Sequence, residues 1–208
     1  MIAIIDYDAG NLASVARAAS HLGHANVITR NVDEIRSADR IIFPGVGAAG
    51  SAMTSLKRLG IDAVLHEAFN QGKPILGICL GTQIIMGYSE ENQTRCLDII
   101  QGVVKSFSTD LRDSDGKRLK IPEMGWNSVQ PVKDHPVLAG LKETDEFYFV
   151  HGFYPEPAHR DHIVGTTHYG IKFASVVGYR NILATQFHLE KSGKPGLALL
   201  NNFCRWMP

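Results

Sequence analysis

Cysteine is scarce in this chain of 208 residues: Cys79, Cys96 and Cys204 are widely spaced and include no Cys-x-x-Cys pair. That scarcity excludes a disulfide framework and a structural zinc site, and it fits a reducing compartment, the cytoplasm. An excess of either charge is missing too, with Lys+Arg and Asp+Glu at 21 each. Nothing in the balance favours nucleic acid or an anionic membrane surface as a partner. No apolar run approaches membrane-spanning length. Met1-Ile2-Ala3-Ile4-Ile5 lacks a basic start and meets Asp6 at once, so it reads as a first strand and not as a signal peptide. Asn92-Gln93-Thr94 matches the glycosylation acceptor pattern, but without an export signal the match is a coincidence. Repeats, low-complexity segments and linkers are absent as well. With 44% hydrophobic and 20% charged residues, a single domain spanning 1–208 is expected.

What the chain does contain is a regular alternation of apolar runs and amphipathic stretches. Residues 2–5 read as a strand buried on both faces, and 25–29, 40–43 and 74–78 read as further strands. Residues 12–22, 33–36, 48–59 and 61–70 read as helices, with Asn11 placed to cap the first and Gly23 to end it. This order predicts an α/β fold: a mainly parallel sheet with helices on both faces. From 96 to 132 the pattern breaks into short strands and turns. A small antiparallel insertion is expected there, with Asp113-Ser114-Asp115-Gly116 at a hairpin tip. Residues 146–151, 163–167 and 182–187 read as further strands, and a last helix runs from about Pro195 to Trp206.

Gly77-Ile78-Cys79-Leu80-Gly81 falls where the strand 74–78 ends. Gly-x-Cys-x-Gly is the cysteine form of a nucleophile elbow, a sharp strand-to-helix turn that lifts one side chain above the sheet edge. The N–H groups and positive dipole end of the following helix favour thiolate, which matters because a free thiol, with pKa about 8.5, is barely ionised near neutrality. A buried structural cysteine fits the same five residues. Pro44-Gly45-Val46-Gly47 also follows a strand, at the same carboxyl edge. It has no Walker lysine and no Gly-x-Gly-x-x-Gly spacing, so by itself it is a tight turn as readily as a site. Gln83, four residues past Cys79, shares its helix face and can reach a substrate held at the sulfur, although an exposed glutamine is equally natural.

His188 and Glu190 are two residues apart, so in an extended segment both side chains point to one face. A carboxylate so placed fixes the imidazole tautomer and stabilises the imidazolium. With Cys79 the pair supplies a nucleophile, a base and an orienter. His-x-Glu also occurs in zinc deaminases, but the Pro-Cys-x-x-Cys they require is missing, and no metal or other cofactor is expected.

Leu76 to Gln83, taken with Gln186-Phe187-His188-Leu189-Glu190, resembles the class I glutamine amidotransferases, which hydrolyse glutamine at a Cys–His–Glu triad and pass ammonia to a synthase. Within that family, Ile4-Ile5-Asp6-Tyr7, Ala9-Gly10-Asn11, Pro44-Gly45-Val46-Gly47, Met124-Gly125-Trp126-Asn127, Tyr148-Phe149-Val150-His151 and Glu190-Lys191-Ser192-Gly193 are similar to glutaminase subunits of imidazole glycerol phosphate synthase. The likeness covers essentially the whole chain and implies a flavodoxin-like fold. It implies Cys79 as nucleophile, His188 as acid and base, and Glu190 as orienter. The N–H of Leu80 and one from Gly45-Val46-Gly47 would hold the oxyanion, while Gln83, Glu91, Gly152 and Phe153 would grip L-glutamine. Trp126, Asn127 and Tyr148 would line the face that docks a (β/α)8-barrel synthase subunit in a heterodimer.

Three positions depart from the family pattern: Asp8 replaces a usual glycine, Leu189 a usual proline and Glu123 a usual histidine. The glycine preference implies positive φ at Asp8, so Asp8→Gly should be neutral or slightly stabilising. The departures leave open a paralogous subunit that feeds a surface-sugar or pyridoxal phosphate pathway. A stand-alone hydrolase and a non-catalytic binding protein on the same fold also remain open.

Overall fold

Four apolar residues in succession make β1 (Ile2–Ile5), and all four are buried. A run without alternation suits a strand covered on both faces, and the side chains divide accordingly. Ile2 and Ile4 enter one apolar core, Ala3 and Ile5 the other. A computed structural model describes residues 1–208. After β1 come α1 (Leu12–His21), β2 (Asn26–Thr29), α2 (Val32–Ser37), β3 (Arg40–Gly45), α3 (Ala49–Leu59), α4 (Ile61–Asn70), β4 (Ile75–Cys79) and α5 (Leu80–Ile84). Then follow β5 (Met86–Ser89), β6 (Thr94–Arg95), β7 (Ile100–Ser106), β8 (Glu123–Ser128), β9 (Gln130–Pro131), β10 (Glu146–His151), β11 (Phe153–Pro157), β12 (Ile163–Tyr169), β13 (Ile171–Tyr179), β14 (Ile182–Thr185) and α6 (Gly193–Arg205).

An eight-stranded sheet runs in the order β2-β1-β3-β4-β14-β13-β12-β9. Its first five strands are parallel to one another. The last three join antiparallel. Side chains from α3 and α4 fill the core on one face, and those from α1 and α6 fill the core on the other. A four-stranded sheet (β11-β7-β5-β6) and a two-stranded ribbon (β10-β8) sit apart from the main sheet. The ribbon is antiparallel, whereas the four-stranded sheet contains one parallel pair, β5 with β7. The hairpin tip at Asp113–Gly116 forms as expected, with Asp113 Oδ1 accepting from the N–H groups of Asp115 and Lys117.

Local departures have physical reasons. β13, the longest strand, carries Ala174, Ser175 and Gly178 among its apolar residues, which dilutes its β-branched signal. α6 starts at Gly193, two residues ahead of Pro195. Asn11 does not cap α1 with its side chain: its backbone is left-handed, φ 74°, and its amide is engaged elsewhere. No helix is long and apolar enough to cross a membrane.

Candidate active site

β4 ends on Cys79 with φ 55° and ψ −105°, a backbone state that residues bearing a Cβ rarely adopt. Two close approaches hold the turn. A Cβ on Gly81 would lie 1.9 Å from the Phe43 carbonyl oxygen, and one on Gly77 would lie 2.8 Å from the Ala184 side chain. Only glycine lets α5 pack this tightly over β3 and β4 sit this close to β14. The elbow is therefore real, although its helix is a single short turn.

The Cys79 thiol, nearly buried, faces the Val150 carbonyl at 4.0 Å and the Gln186 side-chain nitrogen at 3.8 Å. His188 lies just beyond β14, and its Nδ1 is 2.8 Å from Glu190 Oε1. The pair meets through a 3-10 turn over Leu189–Lys191, not through an extended segment as the spacing implied. Both side chains are buried, and Glu190 Oε1 also accepts from Asn11 Nδ2. Burial opposes charge on His188, but Cys79 first and Glu190 second outweigh it and raise the imidazole to about 9. Nε2 of His188 is buried and makes no hydrogen bond of ordinary geometry, so no other group of the protein competes for the proton it exchanges with Cys79.

Cys79 opens into a cleft of about 450 Å³ that brings together Val46, Gly47, Leu80, Gln83, Glu91, Gly152 and Phe153. Each of these was singled out in the sequence. Gly45 is the last residue of β3, paired with Cys79 across the sheet, and it lies just outside the cleft lining. Val46 is exposed, and Gly47 has φ 109°. Gln83 is not a free, exposed glutamine: its nitrogen donates to the Phe153 carbonyl and to Gln186 Oε1, each at 3.2 Å. Glu91 uses Oε2 to accept from the Ala49 N–H at the start of α3, 2.7 Å away. Tyr7 is buried beside Gly45, and burial, reinforced by Cys79, pushes its hydroxyl far above the ordinary range.

On the β8–β10 ribbon, Trp126 pairs in register with Tyr148, their rings edge to face at 6.0 Å. Trp126 is 55% exposed and Met124 65%, so the ribbon shows an apolar outer side. Asn127 turns toward the protein instead, donating to Glu123 Oε1 at 2.8 Å and to the His168 carbonyl at 3.0 Å. Glu123 is buried, and its Oε2 lies 3.0 Å from Nε2 of His151, which lines the cleft. Asn11, Gln186 and the Glu123–His151 pair were not found by sequence reasoning. The only signals were the unusual glutamate at 123 and the glutamine two residues before the histidine. No cluster of three or more His, Cys, Asp or Glu side chains is placed to hold a metal.

The family model described as glutamine amidotransferase class-I matches residues 3–206. Imidazole glycerol phosphate synthase subunit HisH of Nitratidesulfovibrio vulgaris (strain DSM 19637 / Miyazaki F) is 47% identical, over 98% of this chain and 95% of its own. The subunit of the same name from Pseudomonas syringae pv. syringae is 45% identical, over 99% of this chain and 97% of its own. A chain in the solved structure of PurLQS from Thermotoga maritima superposes with a TM-score of 0.76 at 15% identity, covering 100% of this chain and 98% of that one. At that identity the likeness concerns the fold alone.

Proposed function

Because the chain belongs to the class-I glutamine amidotransferase family, we propose that it is a glutaminase subunit of imidazole glycerol phosphate synthase, hydrolysing L-glutamine to glutamate and ammonia for histidine biosynthesis. It acts as one domain over 1–208, in the cytoplasm, and delivers ammonia to a (β/α)8-barrel synthase subunit with which it forms a heterodimer. The observation that carries the reading is the convergence, at one cleft, of a strained elbow cysteine with a buried histidine–glutamate pair.

Cys79 gives its proton to His188 and attacks the side-chain amide carbon of glutamine. The oxyanion is received by the Leu80 N–H at the start of α5 and by an N–H of the Gly45-Val46-Gly47 loop, donors worth about 3–4 kcal/mol each in comparable sites. His188 then protonates the departing ammonia. Water, deprotonated by the same imidazole, cleaves the thioester, releases glutamate and restores Cys79. Glu190 holds the imidazolium throughout. The free Glu91 oxygen and the Gly152–Phe153 segment orient the amino-acid end, and Trp126 with Tyr148 anchors the partner. Gln83 has its amide nitrogen bonded within the protein, which leaves Oε1 for the substrate in the cleft.

Glutamine turnover measured with and without the synthase subunit from the same cell tests the assignment. Slow turnover alone, a large increase with the loaded synthase, and bypass by ammonium are expected. Full-speed hydrolysis by the isolated chain would instead favour a self-sufficient hydrolase.

A further inference from the structure

The sulfur of Cys79 has a neighbour that a Cys–His–Glu triad does not use. Gln186 is completely buried, and its side-chain nitrogen lies 3.8 Å from that sulfur. Which end of the amide faces the sulfur is decided by the groups behind it. His151 Nδ1 and Gln83 Nε2 both approach the Phe153 carbonyl oxygen, at 2.7 and 3.2 Å. A carbonyl oxygen only accepts, so the NH2 end of Gln83 is committed to this side. The remaining hydrogen of that NH2 group is directed at Gln186 Oε1, 3.2 Å away. Gln186 therefore turns its oxygen toward Gln83 and presents a donor to Cys79. The reverse orientation would set two NH2 groups face to face and a carbonyl lone pair against the sulfur, a costly arrangement in a buried site. Further out, His151 and Glu123 meet at 3.0 Å and Asn127 donates to Glu123 at 2.8 Å.

We propose that Gln186 is a further catalytic residue whose amide N–H donates to the Cys79 thiolate, with Gln83 as the positioning residue that aims it. The inference rests on the nucleophile assigned to Cys79 above. A neutral thiol gains little from such a donor, whereas a thiolate gains a charge-assisted hydrogen bond. The contact thus favours the reactive form as the S–H bond breaks and the proton moves to His188, and no bond to Gln186 is made or broken.

Iodoacetamide alkylation of Cys79 at neutral pH, followed by mass spectrometry, reads the thiolate without glutamine or a partner. Cys96 and Cys204, whose thiols burial raises to about 11, serve as silent controls. Gln186→Met keeps the length of the side chain and removes the donor. Alkylation should slow roughly tenfold while the melting transition stays cooperative. Gln83→Met should slow it less, because the donor remains but is no longer aimed. Should Gln186→Met fail to fold, the selectively labelled Gln186 side-chain amide decides the matter: only the hydrogen facing the sulfur should move upfield in Cys79→Ala. Unchanged alkylation in a folded Gln186→Met, or equal movement of both amide hydrogens, would overturn the role. Slowed alkylation in a chain that never turns over glutamine, even with the synthase, would uphold the Gln186 contact and remove the glutaminase assignment.

Discussion

Asn11 and His188 converge on one atom, Glu190 Oε1: the Asn11 amide donates to it from the first loop, and His188 Nδ1 from the turn after β14. Glu190 Oε2 is buried without a partner, so both contacts are carried by Oε1 alone. Removing the amide leaves a buried carboxylate undercompensated and free to shift. Asn11→Gly, which suits the left-handed backbone, should lower glutamine kcat/KM roughly 10–100-fold with little loss of stability. Asn11→Ala should lose a similar factor and melt earlier. A wild-type rate in Asn11→Gly would end the positioning role.

The buried imidazole ties stability to pH. His188 is raised from 6.5 to about 9, burial being outweighed by Cys79 and Glu190. A folded value above the unfolded one means that the stabilisation is fully present below the unfolded value and is lost as pH rises through the folded value. Urea unfolding between about pH 6 and pH 10 should therefore weaken more steeply in the parent protein than in His188→Asn. Parallel pH profiles would contradict retention of the imidazolium.

Asp8 has φ 68°, the conformation inferred from the family's glycine, but its carboxylate is not idle. It pairs with Arg30 at 3.0 Å and with Arg58 at 2.6 Å, and it accepts from Ser55. The expectation that Asp8→Gly would be neutral or stabilising omitted these contacts. Exposed pairs contribute about 0.2–1 kcal/mol each, enough to offset the relief of backbone strain. Asp8→Gly should now melt slightly below the parent in low salt and match it in high salt. Asp8→Asn, which keeps a residue tolerant of positive φ, isolates the charge. No salt dependence in either variant would return the balance to backbone strain.

Cys79→Ala should abolish glutamine hydrolysis and leave ammonium-dependent turnover by the synthase intact. Ammonia release measured directly, beside product formation from added ammonium, separates the two activities. Residual glutaminase in the purified variant would take Cys79 out of the mechanism.

Much of this was legible in the sequence because the signals are local. Gly-x-Cys-x-Gly, His-x-Glu and the alternation of apolar runs each lie within a few residues. The contacts that escaped notice join distant segments. Asn11 is 179 positions from Glu190, and in sequence it looks like an ordinary cap at the head of an amphipathic stretch. Gln83 and Gln186 are 103 apart and reveal their pairing only when β4 and β14 lie side by side. Glu123 was noticed as an oddity, but its meaning required the register of β8 against β10, which sets it opposite His151.

Trp126→Ala should leave the fold and the basal glutaminase rate nearly unchanged while sharply weakening stimulation by the synthase. Trp126 is half exposed, and its close aromatic neighbour is Tyr148. Tyr148 in turn accepts the His188 amide N–H at 2.9 Å through its own carbonyl, which places the β8–β10 ribbon in direct contact with His188. Rate titrations against partner, with circular dichroism as the folding control, check this. Unchanged stimulation would move the docking face elsewhere.

Gly81 is pressed against a main-chain oxygen of β3, and every residue type has that oxygen. No trimming of a neighbouring side chain can make room for a methyl group there. A larger residue at position 81 therefore requires the backbone of β3 or α5 to move. The outer side of the ribbon is less restricted, since Met124 and Trp126 are 65% and 55% exposed. The turn that carries Cys79 is thus fixed by backbone proximity, whereas the outer side of the ribbon is bounded only by solvent.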